Sequence, residues 1–392
     1  MISAASQSGR TAVLYDFLQT RGGAERFTLD LRKLLPSAEL WFQAASEHFA
    51  GCDLDAVHLL SRKPLSTTRA LRISRCIHGF LRARRRFRDY DTLLLSGHYA
   101  PLAIDPGRPS GSQRRVYYAH TAPLPFAYDP PHGIIADEHP VTAAGVSVLG
   151  AWLKPRFEAA LRGVDCVLAN SSFTASEYTR RFGIATQVLH PPCDTAQYRW
   201  RPSDGHFLSF ARQEGQKRVD RVVAAFRDLP HQRLVVASDG SDHDALVQLA
   251  QGAENIRFVR SIDPQVIRDL LERCTAAIHI PEREPFGMSV VESLAAGKPA
   301  VSVDEGGLPE ILSSEGCGWL LPADPTPAQL AELVSGITEQ ACAQRRRACE
   351  ARAAEFGRDR FAESLGRVLA SPPRGRRSDT PEPGHASGAI QG

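Results

Sequence analysis

The chain has 392 residues, 43% of them hydrophobic and 23% charged, with 30 Gly, 27 Pro and a formal net charge of +3. This excludes a disordered, collagen-like or generally supercharged chain. The length suits two domains of roughly 150–200 residues each better than one core. Of the 47 basic residues only Lys33, Lys63, Lys154, Lys217 and Lys298 are lysines. The 8 Cys form no CxxC pair, and several lie in apolar segments, as Cys166 and Cys274 do. They read as reduced core cysteines of a cytoplasmic protein. The N-terminus lacks a leader's apolar run, and no stretch approaches the ~20 apolar residues of a membrane span.

In chain order, residues 11–17 read as a strand. A glycine turn at Arg21-Gly22-Gly23-Ala24-Glu25 then enters an amphipathic helix. "AELWFQ", "AVHLL", "DTLLLSG" and "RRVYYAH" read as buried strands, "KPRFEAALRGV" as a helix and "DCVLANS" as a strand. "SFTASEYTRRFG" has a Ser/Thr start and a Gly183 stop, and "TQVLHPP" closes the first half. Residues 193–205 lack periodicity and read as a linker. A second alternation follows: "HFLSFAR", "KRVDRVVAAFRDLP", "QRLVVASDG", "IRFVR", "IDPQVIRDLLERC", "TAAIHIP", "SVVESLAAGKP", "AVSV" and "LPEILSSEG", then terminal helices. Residues 371–392 are rich in Pro, Gly and Ser and read as a disordered tail. The expectation is an α/β chain of two Rossmann-like domains, 1–195 and 196–370, with the last helices packing back on the first. Open parallel sheets bind ligands beyond the C-terminal ends of their strands, so the site is expected in a cleft between the two.

Several loops at strand ends carry ligand-type chemistry. Gly22 and Gly23 permit close approach ahead of a helix N-terminus, although a tight turn explains them equally. Arg212 and Lys217 bracket a polar glycine loop and could neutralise a diphosphate. The densest pattern is Glu284-Pro-Phe286-Gly287-Met288-Ser289-Val-Val-Glu292. Its two carboxylates lie eight positions apart, about two helical turns, and the second could take both hydroxyls of a ribose. Gly306 and Gly307 offer a further turn with free amides. His120 ends a strand beside a Pro-rich aromatic loop and could touch a reacting centre or serve as a structural hydrogen-bonding group. Residues 72–88 interleave seven arginines with Ile73, Ile77, Phe80, Leu81 and Phe87. They read as a basic amphipathic helix or pair of helices, suited to an anionic membrane surface or a lipid-linked phosphate, or simply to solvent. No nucleic-acid-binding module surrounds them. The DxD triplets Asp53-Leu-Asp55 and Asp242-His-Asp244 lie outside the strongest loops, and no zinc spacing, GxSxG or GxxxxGK[ST] loop occurs.

The segment 281–297, with its E-x7-E spacing, resembles the signature of the retaining, GT-B-fold glycosyltransferase family 4. "LSFARQEGQKRVDRVV", "GGAE", "VLANSSFTASEYTRRFG", "VLHPPCDT" and "VSVDEGGLPEIL" are similar to that family, over about residues 11–370. "GGAER", "YYAHTAP" and "ANSSFTA" look most like bacterial mannosyltransferases of O-antigen or exopolysaccharide assembly. The resemblance implies a nucleotide-sugar donor, GDP-mannose by preference, a lipid-linked or soluble glycan acceptor, no cofactor and no essential metal. It places Glu292 on the ribose, Glu284 at the donor sugar and distal phosphate, and Arg212 and Lys217 on the diphosphate, with Phe286 among the donor-binding residues. Gly22, Gly23, Gly287, Met288 and Ser289 would lie near the phosphates, with Gly306 and Gly307 in supporting turns. His120 would contact the donor sugar and help stabilise the charged transition state. The loop "HTAPLPFAYD" lacks the arginine that similar sequences carry before the tyrosine, Tyr128 here, so donor or acceptor can differ from the mannosyl case. A non-mannosyl donor such as UDP-glucose or UDP-GlcNAc, a sugar phosphorylase or synthase, and a non-catalytic sugar-nucleotide binder stay open.

Overall fold

The computed structural model describes residues 9–19, 23–46, 49, 57–66, 68–106, 111–122, 140–261, 263–313 and 316–373. Two parallel sheets organise it. The first contains β1 (Thr11–Tyr15), β2 (Glu39–Phe42), β3 (Val57–Leu59), β4 (Thr92–Ser96), β5 (Arg114–Ala119), β6 (Cys166–Ala169) and β7 (Thr186–Val188), in the order β3-β2-β1-β4-β5-β6-β7. The second contains β8 (His206–Ser209), β9 (Arg233–Ala237), β10 (Ile256–Val259), β11 (Ala277–Ile278), β12 (Ala300–Val303) and β13 (Gly318–Leu321), in the order β10-β9-β8-β11-β12-β13.

Helices cover both faces of each sheet, so the strands are continuous apolar runs rather than alternating ones. Successive residues still point to opposite sides. Leu93 and Leu95 join Tyr117 in one core, while Leu94 joins Val116 and Tyr118 in the other. In the second sheet Phe207 and Val236 face one core, Leu208 and Val235 the other. Strand order reverses between β1 and β4 and again between β8 and β11. Loops diverge to opposite sides at such a reversal and leave a crevice at the strand ends.

Local signals fix several boundaries. The Ser171 side chain accepts a hydrogen bond from the Thr174 amide at the start of the helix Ser172–Phe182. Gly183 ends that helix at φ 65°, where a side chain would be strained. Two elements went unread in the sequence. β13 is four residues long and largely half-exposed, and the helix His243–Leu249 is short, with Leu246 its one buried residue.

The 193–205 segment is no loose linker. The Arg199 amide bonds Glu272 at 2.9 Å, and Lys298 Nζ bonds the Arg201 carbonyl at 2.7 Å. The Cys193 amide donates to the Phe356 carbonyl, so the two passages of the chain between the sheets lie side by side. Beyond Gly357, the helix Arg358–Ala370 returns to the first sheet, where Phe361, Ala362 and Leu365 join its core.

The arginine-rich segment forms the helix Arg69–Ala83 and a 3-10 turn, Arg86–Asp89. Its apolar side is spent inward: Ile77, Phe80 and Phe87 are buried in the core, with Ile73 and Leu81 packed against it. Most of its arginines remain outside, together with Leu71, which is 44% exposed. Among the described residues no helix is long and apolar enough to cross a membrane.

Candidate functional site

At the reversal between β8 and β11, two loops meet. The β8 loop passes through Arg212 into the turn Gly215–Lys217, and the β11 loop runs from His279 to Gly287. They are tied by backbone, the Glu282 amide donating to the Gln216 carbonyl at 2.8 Å. Their side chains converge on Glu284: Lys217 Nζ lies 2.5 Å and His279 Nε2 3.8 Å from its Oε2. Burial raises the Glu284 pKa, but the Lys217 ammonium, His279 and Arg212 outweigh it and hold the carboxyl below its usual range. Burial pushes His279 down to about 4, so its imidazole stays neutral. Arg212 is half-exposed and pairs with Glu214 at 3.2 Å.

The glycines of the next loop hold Glu284 in place. Gly306 sits at φ 69°, and a Cβ there would lie 2.2 Å from the Glu284 carbonyl oxygen. A Cβ on Gly307 would lie 2.5 Å from the Pro285 oxygen. The sequence suggested free amides in this turn. Instead, the Gly307 amide is taken by the Glu284 carbonyl at 2.9 Å, because the two loops pack backbone to backbone. The Gly240 loop after β9 supports the β8 loop similarly, and His243 Nδ1 lies 2.7 Å from Gln213 Oε1.

Gly287, at φ 113°, opens the helix Met288–Ala295. The first amides of an α-helix lack intrahelical partners, so those of Met288 and Ser289 face the loop end. Phe286 was expected at the donor. Its ring is buried against His190 at 5.4 Å and Phe356 at 5.6 Å, which gives it a packing role.

Glu292 faces the other sheet's elements. Arg26 Nη2, on the helix Gly23–Leu34, donates to Glu292 Oε1 at 3.0 Å. The carboxylate raises the Arg26 pKa, and burial followed by the same carboxylate raises that of Tyr198. Sequence reasoning missed Arg26, although it stands in the "GGAER" segment that drew attention to the neighbouring glycines. Gly23 begins this helix, and a Cβ added there would meet nothing within 4 Å. Gly22 lies outside the described residues, as does most of the altered loop at 121–129.

The first sheet's reversal point, between β1 and β4, contributes three more groups. Asp16, at the end of β1, accepts from the amides of His98, Tyr99 and Ala100 at 2.6, 2.8 and 2.9 Å. Burial outweighs these bonds and lifts its pKa to about 7. His120 follows β5 with its ring held among Phe27, Tyr118 and Tyr15, at 4.8, 4.9 and 6.1 Å. Burial, then His98, pushes it down to about 3. Among the described residues His120 Nε2 and His98 Nδ1 have no hydrogen-bond partner. Unpaired buried nitrogens are costly, so they mark this reversal point as the sheet's polar focus. No group of three or more His, Cys, Asp or Glu side chains suited to a metal ion occurs among the described residues.

Two family models match, one on each half: "Glycosyltransferase Family 4" over residues 21–197 and "Glycosyl transferases group 1" over residues 194–356. Glycogen synthase of Mycobacterium tuberculosis is 29% identical over 239 residues, covering 56% of this chain and 58% of that protein. The GDP-mannose-dependent alpha-(1-6)-phosphatidylinositol dimannoside mannosyltransferase of the same organism is 28% identical over 218 residues, covering 51% and 56%. The chain thus spans little more than half the length of these curated relatives. Among solved structures, Anabaena Alr3699/HepE in complex with UDP superimposes with a TM-score of 0.69 at 20% identity, covering 92% of this chain and 99% of that one. The paired sheets are those of the GT-B fold, and each half of the chain matches a glycosyltransferase family model.

Proposed function

We propose that this protein is a hexosyltransferase that moves a sugar from a nucleoside diphosphate donor to a glycan acceptor. The observation that carries the reading is the cluster at the second sheet's reversal point. There Lys217, His279 and Glu284 meet beside a helix N-terminus, and Glu292 lies eight residues further on. Residues 196–370 would hold the donor, and residues up to 195 would present the acceptor beside His120.

In the reaction the anomeric C–O bond to the diphosphate breaks and a bond to an acceptor hydroxyl oxygen forms. The hydroxyl's proton passes to the departing phosphate, giving the nucleoside diphosphate and the glycoside. Charge builds on the leaving phosphate. Arg212, Lys217 and the amides of Met288 and Ser289 are the groups suited to stabilise it, because they need little reorganisation. Lys217 is held by Glu284 until a diphosphate competes for it. Glu292 would accept the ribose hydroxyls, replacing Arg26. Transfer within a cleft that excludes water keeps hydrolysis from competing. The family signature supports retention of anomeric configuration.

A glucose-type donor is favoured over GDP-mannose. The glycogen synthase match and the structure of Alr3699/HepE with UDP-glucose support it, while the dimannoside mannosyltransferase match keeps GDP-mannose as the second reading. Calorimetric titration with UDP-glucose, UDP-GlcNAc and GDP-mannose, coupled to release of the free nucleotide, separates them. Failure to bind or turn over any of them would sink the proposal. Glu292→Gln should weaken the preferred donor roughly tenfold or more while leaving the melting temperature within a few degrees of wild type. Unchanged donor affinity would remove the ribose assignment.

A further inference from the structure

The arginine-rich helix lines a cavity that sugar transfer, as described above, leaves unused. The cavity measures about 770 Å³ and lies between the helix Arg69–Ala83 and the segments that follow β2 and β3. Gln43 and Ser61, just beyond those strands, form one wall. Gly79 lets the helix come close, since a Cβ there would already stand 3.2 Å from Gln43 Cγ. Arg75, His78 and Arg82 line the opposite wall. Their spacing of three and four residues puts them on one helix face, a row about 10 Å long. Lys63, Arg85 and Arg86 also line it, and the lining includes no Asp or Glu.

These cations differ from their neighbours. Arg88 pairs with Asp105, and Arg84 donates to the Leu102 carbonyl. Among the described residues Lys63, Arg75, Arg82, Arg85 and Arg86 have no carboxylate partner. Like charges crowded on one concave wall repel, and a polyanion reverses that cost. Guanidinium forks match phosphate oxygens in geometry as well as charge. The hydroxyls of Ser61 and Ser74 add neutral donors. Ile77, Phe80 and Phe87 are buried in the core and Ile73 and Leu81 are packed against it, which favours capture of an anionic group over insertion into lipid.

We propose that this cavity is a binding site for a phosphate-bearing ligand, separate from the donor region at Arg212 and Lys217. Resting on the sugar-transfer reading, its natural occupant is the phosphate-bearing part of the acceptor. The cavity stands at the same ends of the first sheet's strands as His98 and His120.

The test uses the full chain and inorganic pyrophosphate, titrated by calorimetry at about 0.15 M salt, where long-range attraction is screened. Lys217→Ala supplies the background, since it removes one of the two cations of the donor region and leaves the cavity's own cations in place. Pyrophosphate should still bind this variant. Adding Arg75→Ala and Arg82→Ala should weaken binding roughly tenfold per arginine. Arg75→Lys with Arg82→Lys should retain most of it, and matching circular dichroism and melting curves show that all variants fold. No binding to Lys217→Ala, or affinity unmoved by the two alanines, overturns the site. A water-soluble short-chain prenyl diphosphate that displaces pyrophosphate assigns a lipid-linked source. Pyrophosphate binding without such displacement assigns a soluble one. Because the readout is pyrophosphate and not donor, this site and the sugar-transfer reading can fail independently.

Discussion

His279 shows how a single residue links the fold to the site. It follows β11, its amide donating to the Val301 carbonyl and its own carbonyl accepting from Ser302 Oγ, so its ring is fixed beside Glu284. Glu284 and Lys217 are the charged groups that face it. Its folded pKa of about 4 lies below the ordinary value of ~6.5. As pH falls, the unfolded chain takes up the proton first. This group's contribution to stability is therefore whole above pH ~6.5 and drains away between ~6.5 and ~4, by up to about 1.4 kcal/mol per pH unit. Urea unfolding of wild type and His279→Gln should give parallel stability profiles above pH 7. Below pH 6.5 the wild type should fall faster. Profiles that stay parallel down to pH 4.5 would show that His279 is not held neutral.

At the scale of elements, the loop after β12 is a seat for the loop after β11. Alanine at Gly306 meets two obstacles, a left-handed backbone and the Glu284 carbonyl oxygen at 2.2 Å. The expected loss is about 1–3 kcal/mol, and donor affinity should fall further because Glu284 is displaced. Gly23→Ala is the control: open space surrounds that position, so stability should hold, and any drop in donor affinity there reports contact with ligand. Equal stability for both variants in thermal melts would refute the seating role. The strands and the Glu284–Glu292 spacing were legible in the sequence because strands buried on both faces become apolar runs and because the motif is contiguous. Arg26 was not, since its carboxylate lies 266 positions away. Nor was the seating role of Gly306 and Gly307, since a glycine freed for a ligand and one pressed against another loop leave the same letters in the chain.

At the scale of the whole molecule, the elements around the two sheets meet through a few polar contacts as well as through the shared 193 and 357 passages. Besides Arg26 with Glu292, the main one is Glu310, in the helix Leu308–Leu312 beside the second sheet. Its carboxylate accepts from the amides of Ser172 and Phe173 at 2.8 and 3.0 Å, capping a helix of the first sheet, and lies 3.2 Å from His190 Nε2. Burial raises the Glu310 pKa, but His190 and these amides outweigh it and keep the carboxyl below its usual range. A carboxylate at a helix N-terminus satisfies donors that otherwise turn to water. The contact therefore favours the arrangement in which the two halves touch. Glu310→Ala leaves each sheet's own core intact and removes only this bridge, so secondary structure and melting cooperativity should persist. The ligand-free radius of gyration from small-angle scattering should rise, and saturating donor should bring it back, since a donor that contacts both halves restores their approach. Donor affinity should weaken severalfold because part of its binding energy is then spent on closure. A radius of gyration identical to wild type, with or without donor, would mean that Glu310 caps the helix without governing how the halves meet.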